Sequence, residues 1–145
     1  MKNIQKIKRV QLIINQSDEF IILGLVSSEP DYKLSLTINK KFGISLKNIS
    51  PVRIIDGSGS ELIFSRFADT NGSPGTIFTL FSNRSGKHFL IRNLKNIDYI
   101  FQVHNPDDST KADSLTASLR KIDSINAVFN IDLNTFKDKN IQYLI

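Results

Sequence analysis

Two arginines, Arg66 and Arg84, are the side chains in this sequence best suited to chemistry. A guanidinium offers paired N–H donors to a carboxylate or a phosphate. Arg66 lies in an alternating apolar run, ELIFSRFA at 61–68, and Arg84 follows the next one, TIFTLFSN at 76–83. The connection between the runs, DTNGSPG, is rich in turn formers, so the two runs read as neighbouring strands. Ser82 and Asn83 stand beside Arg84. Tyr32 and Asn39, on a helical segment described below, could approach the same sheet. Arg66, Arg84, Asn83, Tyr32 and Asn39 therefore form a candidate anion-binding set. The same arginines could equally pair with Asp69, Glu61 or Asp98 as structural ion pairs.

Other chemistries find less support. Asp98-Tyr99 could act as a base and its partner, yet adjacent strand residues point to opposite faces. The structural alternative has Asp98 capping the preceding turn and Tyr99 burying its ring with its hydroxyl paired. His88 and His104 are the two histidines, without HxH or HExxH spacing, and there is no cysteine. No metal site, thiol chemistry or disulfide framework is expected. There is no GxSxG, and the DGSGS turn at 56–60 lacks the lysine and following helix of a phosphate loop. No catalytic set and no cofactor are expected.

The elements that must position these residues follow from periodicity. Runs at 9–15 and 19–27 flank the polar Gln16-Ser17-Asp18 and predict a hairpin. Leu34, Ile38 and Phe42 recur every four residues between Pro30 and Gly43, which predicts a helix. Residues 52–56, 61–68, 76–83 and 100–104 predict strands. NPDDS at 105–109 predicts a helix start, with Leu115, Leu119 and Ile122 on one stripe. Residues 125–131 predict a last strand, and the tail beyond carries no clear period. Hairpins dominate over βαβ units. The expectation is a single α+β domain over residues 1–145, a mostly antiparallel sheet with two helices packed on one face.

Size and charge bound the function. The chain has 145 residues, 40% hydrophobic and 23% charged, enough for one core without a staple. Its longest apolar run, Phe20 to Leu23, is too short to span a bilayer, and no leader pattern precedes it. A cytoplasmic protein with no membrane partner is expected. The formal charge is +5, of which Lys2, Lys6, Lys8 and Arg9 supply +4. This is a basic tip on a nearly neutral remainder, unlike the spread basic face of a nucleic-acid reader. Lysines outnumber arginines 13 to 6, against bidentate base or phosphate recognition. No specific nucleic-acid partner is expected.

Residues 91–99, IRNLKNIDY, resemble the signature of the IPExxxVDY family of small bacterial proteins. Asp31-Tyr32-Lys33-Leu34, with Asn39-Lys40 and Gly43 downstream, is similar to that family's DYRL…NK…G segment. Phe64 to Phe67 and SNRSG at 82–86 fall where the family has its central strands. The likeness runs from about Phe20 to the last strand. Ile91, Asp98 and Tyr99 match the named letters, while Arg92-Asn93 replace Pro-Glu and Ile97 replaces Val. The resemblance implies a shared fold, with the signature residues in structural roles, and brings no established activity with it.

By exclusion, the sequence points to a non-enzymatic interaction or adaptor module, acting on another protein or on its own copy as a homodimer. The apolar end, Tyr143, Leu144 and Ile145, is the expected dimer contact. A small anionic-ligand binder or enzyme using Arg66 and Arg84 is the alternative, with weak nucleic-acid binding third. Any nucleic-acid binding should depend on the basic tip. Deleting residues 1–9 should abolish it and lower the salt slope by at most about 4. Tight binding at physiological salt that survives the deletion contradicts the charge argument.

Overall fold

Apolar residues at alternate positions give this chain strands that must be covered on both faces. The computed structural model, which describes residues 19–69 and 75–145, joins them in one six-stranded sheet. The strands are β1 (Phe20–Val26), β2 (Lys47–Ile55), β3 (Glu61–Asp69), β4 (Ile77–Ser82), β7 (Tyr99–His104) and β8 (Ala127–Asn130). Their order is β2-β3-β4-β7-β1-β8, and every neighbouring pair is antiparallel. A two-stranded ribbon, β5 (Arg84–Ser85) with β6 (His88–Phe89), extends from β4. The helices are α1 (Asp31–Phe42) and α2 (Ala112–Arg120). Short 3-10 turns at Leu133–Thr135 and Lys139–Leu144 end the chain.

Both helices pack on one face, as the pattern predicts, so the fold is α+β. Leu34 and Ile38 of α1 and Leu115 and Leu119 of α2 bury against Leu23, Leu25, Leu80, Phe101 and Val103 of the sheet. Gly43 ends α1 in the left-handed region, at φ 65°, and its amide returns to the Asn39 carbonyl. The start of α2 differs from expectation. Asp107 accepts from the Ser109 amide and from the hydroxyls of Ser109 and Thr110, closing a separate turn. The helix begins only after Lys111, without a side-chain cap. Asp107 favoured its own local turn over a helix end.

Two strands also differ. The hairpin predicted for residues 9–15 and 19–27 has its first strand outside the described residues. Its second, β1, lies between β7 and β8 inside the sheet. The strand predicted to start at Val52 starts at Lys47, because the register slips between Ile49 and Val52. Pro51 sits in that slip, where a missing amide costs no ladder bond on an edge strand.

The other face is covered by irregular chain. Phe64, Phe81, Ile22 and Ile100 of the sheet bury against Leu90, Ile91, Ile97 and the C-terminal turns. Gly24 lets this cover sit close. A Cβ there would lie 2.9 Å from Ile97 Cδ1 and 3.2 Å from Ile131 Cδ1. A coil buries backbone groups that a helix would satisfy internally, so side-chain amides must serve them. Asn83, 0% exposed, donates through Nδ2 to the carbonyls of Leu94 and Ile97, both at 2.9 Å. Its Oδ1 accepts from the Ile91 amide at 2.9 Å. Asn140 donates to the Leu90 carbonyl at 2.7 Å, and Gln102 donates to that of Leu144. Leu144 is itself 0% exposed, and Tyr143 is half-buried against the same core. The apolar end of the chain is thus used within its own fold, with Ile145 alone of the three exposed.

Asn83→Ala should cost at least about 3 kcal/mol, since three buried backbone groups lose their partners at roughly 1–3 kcal/mol each. The unfolding free energy from urea titration measures this. A loss below about 1 kcal/mol would mean that residues 90–97 hold themselves in place.

Candidate functional site

The residues singled out from the sequence separate into three places. Asn83 and Arg84 join the signature residues. Arg84 leaves β4 at the start of the small ribbon, and its Nε donates to Asp98 Oδ1 at 2.5 Å. A terminal nitrogen of Arg84 reaches the Lys95 carbonyl at 3.3 Å, and the guanidinium lies 4.8 Å from the centre of the Phe89 ring. The other oxygen of Asp98 accepts the Ser27 amide at 2.9 Å. Asp98 thus ties the ribbon to the end of β1 and caps no turn preceding it, because its neighbours in space are Arg84 and Ser27. Of the partners open to Arg84 in the sequence, Asp98 is the one it takes. Ile91 is fully buried beneath this cluster.

Tyr99 points to the opposite face of β7, toward the helices. It is 8% exposed, and its hydroxyl donates to the Glu29 carbonyl at 2.5 Å. Burial, and then the carboxylates of Asp31, Asp98 and Glu29, push this hydroxyl up to about 12. Asp98 and Tyr99 therefore serve different layers and form no dyad.

Tyr32 and Asn39 lie on α1, across the sheet from Arg66. Asn39 is engaged with Leu46, accepting its amide at 2.7 Å and donating to its carbonyl at 3.2 Å. Tyr32 is exposed. Neither meets the arginines, because Phe67, the neighbour of Arg66, faces α1 while Arg66 faces away.

Arg66 is paired in register with Phe81 of β4, and its Nε donates to the Ser50 carbonyl at 2.9 Å. It borders a groove of about 450 Å³ on the non-helical face. Thr79 and Gln102 of the central strands floor the groove, and Phe20, Phe81 and Tyr143 wall it. His104 reaches the same groove, half-buried and stacked on Phe20 at 4.6 Å between ring centres. Strand β1 beside it supplies the ring that covers it. His88 lies far along the chain on β6, exposed, beside a cavity shared with Asp56, Arg92 and Lys139. The DGSGS segment is the expected turn. The Ser58 hydroxyl and the Ser60 amide hold the Asp56 carboxyl below its ordinary range. Among the described residues no group of three potential metal ligands converges, and no helix is long and apolar enough to cross a membrane.

A third surface escaped the sequence reading. A cleft of about 760 Å³ lies between β8 and residues 92–97, with Arg92, Asn93, Lys95 and Asn96 on one side and Phe129 on the other. Phe129 is 50% exposed. The run INAVFNI hides this, because alternation alone places Phe129 on a covered face. No family model and no curated protein matches the chain.

A phenol held neutral by the fold gives stability that is complete below about pH 10 and is lost as pH climbs from there toward about 12. The urea midpoint of the wild type should fall over this window by more than that of Tyr99→Phe. Parallel pH curves for the two proteins would show that Tyr99 ionises as freely in the fold as in the unfolded chain.

Proposed function

We infer that this chain is a non-enzymatic interaction module that binds an extended segment of another protein along the edge of β8, which no strand among the described residues covers. The half-exposed Phe129 beside the 760 Å³ cleft carries this reading. A large exposed aromatic next to a concave surface fits an anchor better than it fits solvent.

The two sheet edges are unlike, which supports the assignment. Edge β2 contains Pro51, a register slip and the exposed cations Lys47 and Arg53, all devices that blunt edge pairing. Edge β8 has none of these. The Ile131 amide donates to the Ile22 carbonyl, so alternation turns the amide and carbonyl of Asn130, and the amide of Val128, away from β1. The Val128 carbonyl is taken by Arg120 at 3.2 Å. An added strand finds its remaining bonds there. Arg92 and Lys95 line the cleft without an acidic side chain, which favours a partner carrying carboxylates next to an apolar residue. A second copy of this chain would set the same cations against each other, so a heterologous partner fits better.

The test is affinity capture from the native lysate with the wild type and with Phe129→Glu, followed by hydrogen exchange on the captured complex. Phe129 is outside the core, so the variant should fold. A partner lost in Phe129→Glu that protects the Val128 and Asn130 amides supports the module. Capture unchanged by the substitution, or protection elsewhere, overturns it.

A further inference from the structure

Arg66 holds the one half-buried guanidinium whose terminal nitrogens meet no protein acceptor among the described residues. Arg84 is paired with Asp98 and Arg53 with Glu61. We propose that the groove beside Arg66 binds a small monocarboxylate with an aromatic or branched apolar body.

The geometry carries this in three steps. The bond from Nε to the Ser50 carbonyl fixes one edge of the guanidinium and leaves the two terminal N–H groups for a ligand. A carboxylate takes such a pair of donors with its two oxygens, an arrangement more directional than a lone ammonium allows. Next, the walls are apolar rings. Phe81 lies across from Arg66 in register, and Phe20 and Tyr143 close the groove from the sides. They suit a ligand body that stacks and sheds water. The floor residues Thr79 and Gln102 are buried, so the ligand rests on the rigid centre of the sheet.

Charge sets the class. The lining holds one guanidinium and no acidic side chain. One negative charge is balanced there. The lining offers the second charge of a phosphate no lysine and no second guanidinium, and His104 is stacked on Phe20, so that charge would be buried without a full countercharge, which is costly. The groove's 450 Å³ falls within the roughly 300–1,000 Å³ typical of small-molecule sites. The site shares no lining residue with the β8 cleft, so it stands or falls separately from the docking reading.

The probes are 3-phenylpropionate, its neutral amide, and inorganic phosphate, titrated into the full chain by calorimetry up to about 10 mM, which reaches Kd values weaker than 1 mM. The acid should bind, the amide should bind at least about tenfold more weakly, and phosphate should not compete. Arg66→Gln should weaken the acid by at least about tenfold with the amide unaffected. Should Arg66→Gln fail to fold, wild-type NMR decides, with shifts from the acid confined to Thr79, Gln102 and their neighbours. Equal binding of acid and amide, shifts elsewhere, tighter binding of phosphate, or no binding of the acid would each overturn the proposal.

Discussion

The carboxamide of Asn83 fixes the irregular half of this molecule. It donates to two carbonyls and accepts one amide of residues 90–97, while its own backbone carbonyl takes the Leu90 amide at 2.8 Å and its amide reaches the Asp98 carbonyl at 2.9 Å. Five bonds from one residue replace what a helix would supply through its own ladder. They are needed because a coil laid on an apolar sheet removes its backbone from water, and each unsatisfied group costs about 1–3 kcal/mol. With the segment so held, Leu90, Ile91 and Ile97 can bury against β1 and β7 over the bare surface of Gly24.

The consequences run outward from that point. Once residues 90–97 are placed, Arg84 has Asp98 within reach, and Asp98 has the Ser27 amide. Arg92 and Lys95 then stand on the rim opposite Phe129, and the C-terminal turns close over β7 through Gln102 and Asn140. The two helices have no comparable part in shaping either concavity. They cover the other face and satisfy their own backbones, so that face needs few buried polar side chains. Tyr99 is one exception, anchoring the chain just before α1 through the Glu29 carbonyl, and buried Asp69 is another, accepting the Ser45 amide at 2.7 Å.

Regular elements were legible because their signals are local. The four-residue spacing of Leu34, Ile38 and Phe42, with Pro30 before and Gly43 after, specifies α1, and the alternation in ELIFSRFA specifies the face of Phe64 and of Phe67. What failed depended on partners distant in sequence. Asn83 looks like a polar strand end beside an arginine, and only the return of the chain at Leu94 and Ile97 makes it a buried clamp. Leu144 looks like a free apolar end until the core of β7 is in view. Of the candidate set, Arg66 borders a groove, and the residues around it come from the floor of the sheet and the tail. Tyr32 and Asn39 were separated from it by the sheet itself, a distinction of face that a helix prediction alone does not carry.

The polar groups of the described residues divide between those spent on the fold and those left at the surface. A catalytic pair needs titratable groups held near each other with a reacting atom between them. Among the described residues, Arg84 neutralises Asp98, and Tyr99 spends its hydroxyl hydrogen bond on the Glu29 carbonyl. The bonding capacity left over is of another kind: the terminal nitrogens of Arg66 over apolar rings, and the outward amides of β8 beside Phe129. Both lie on a sheet whose strands are fixed from both faces, and the two proposals rest on them. A rigid sheet lowers the ordering cost of association. The same clamps that consume the reactive residues therefore prepare the surfaces that remain.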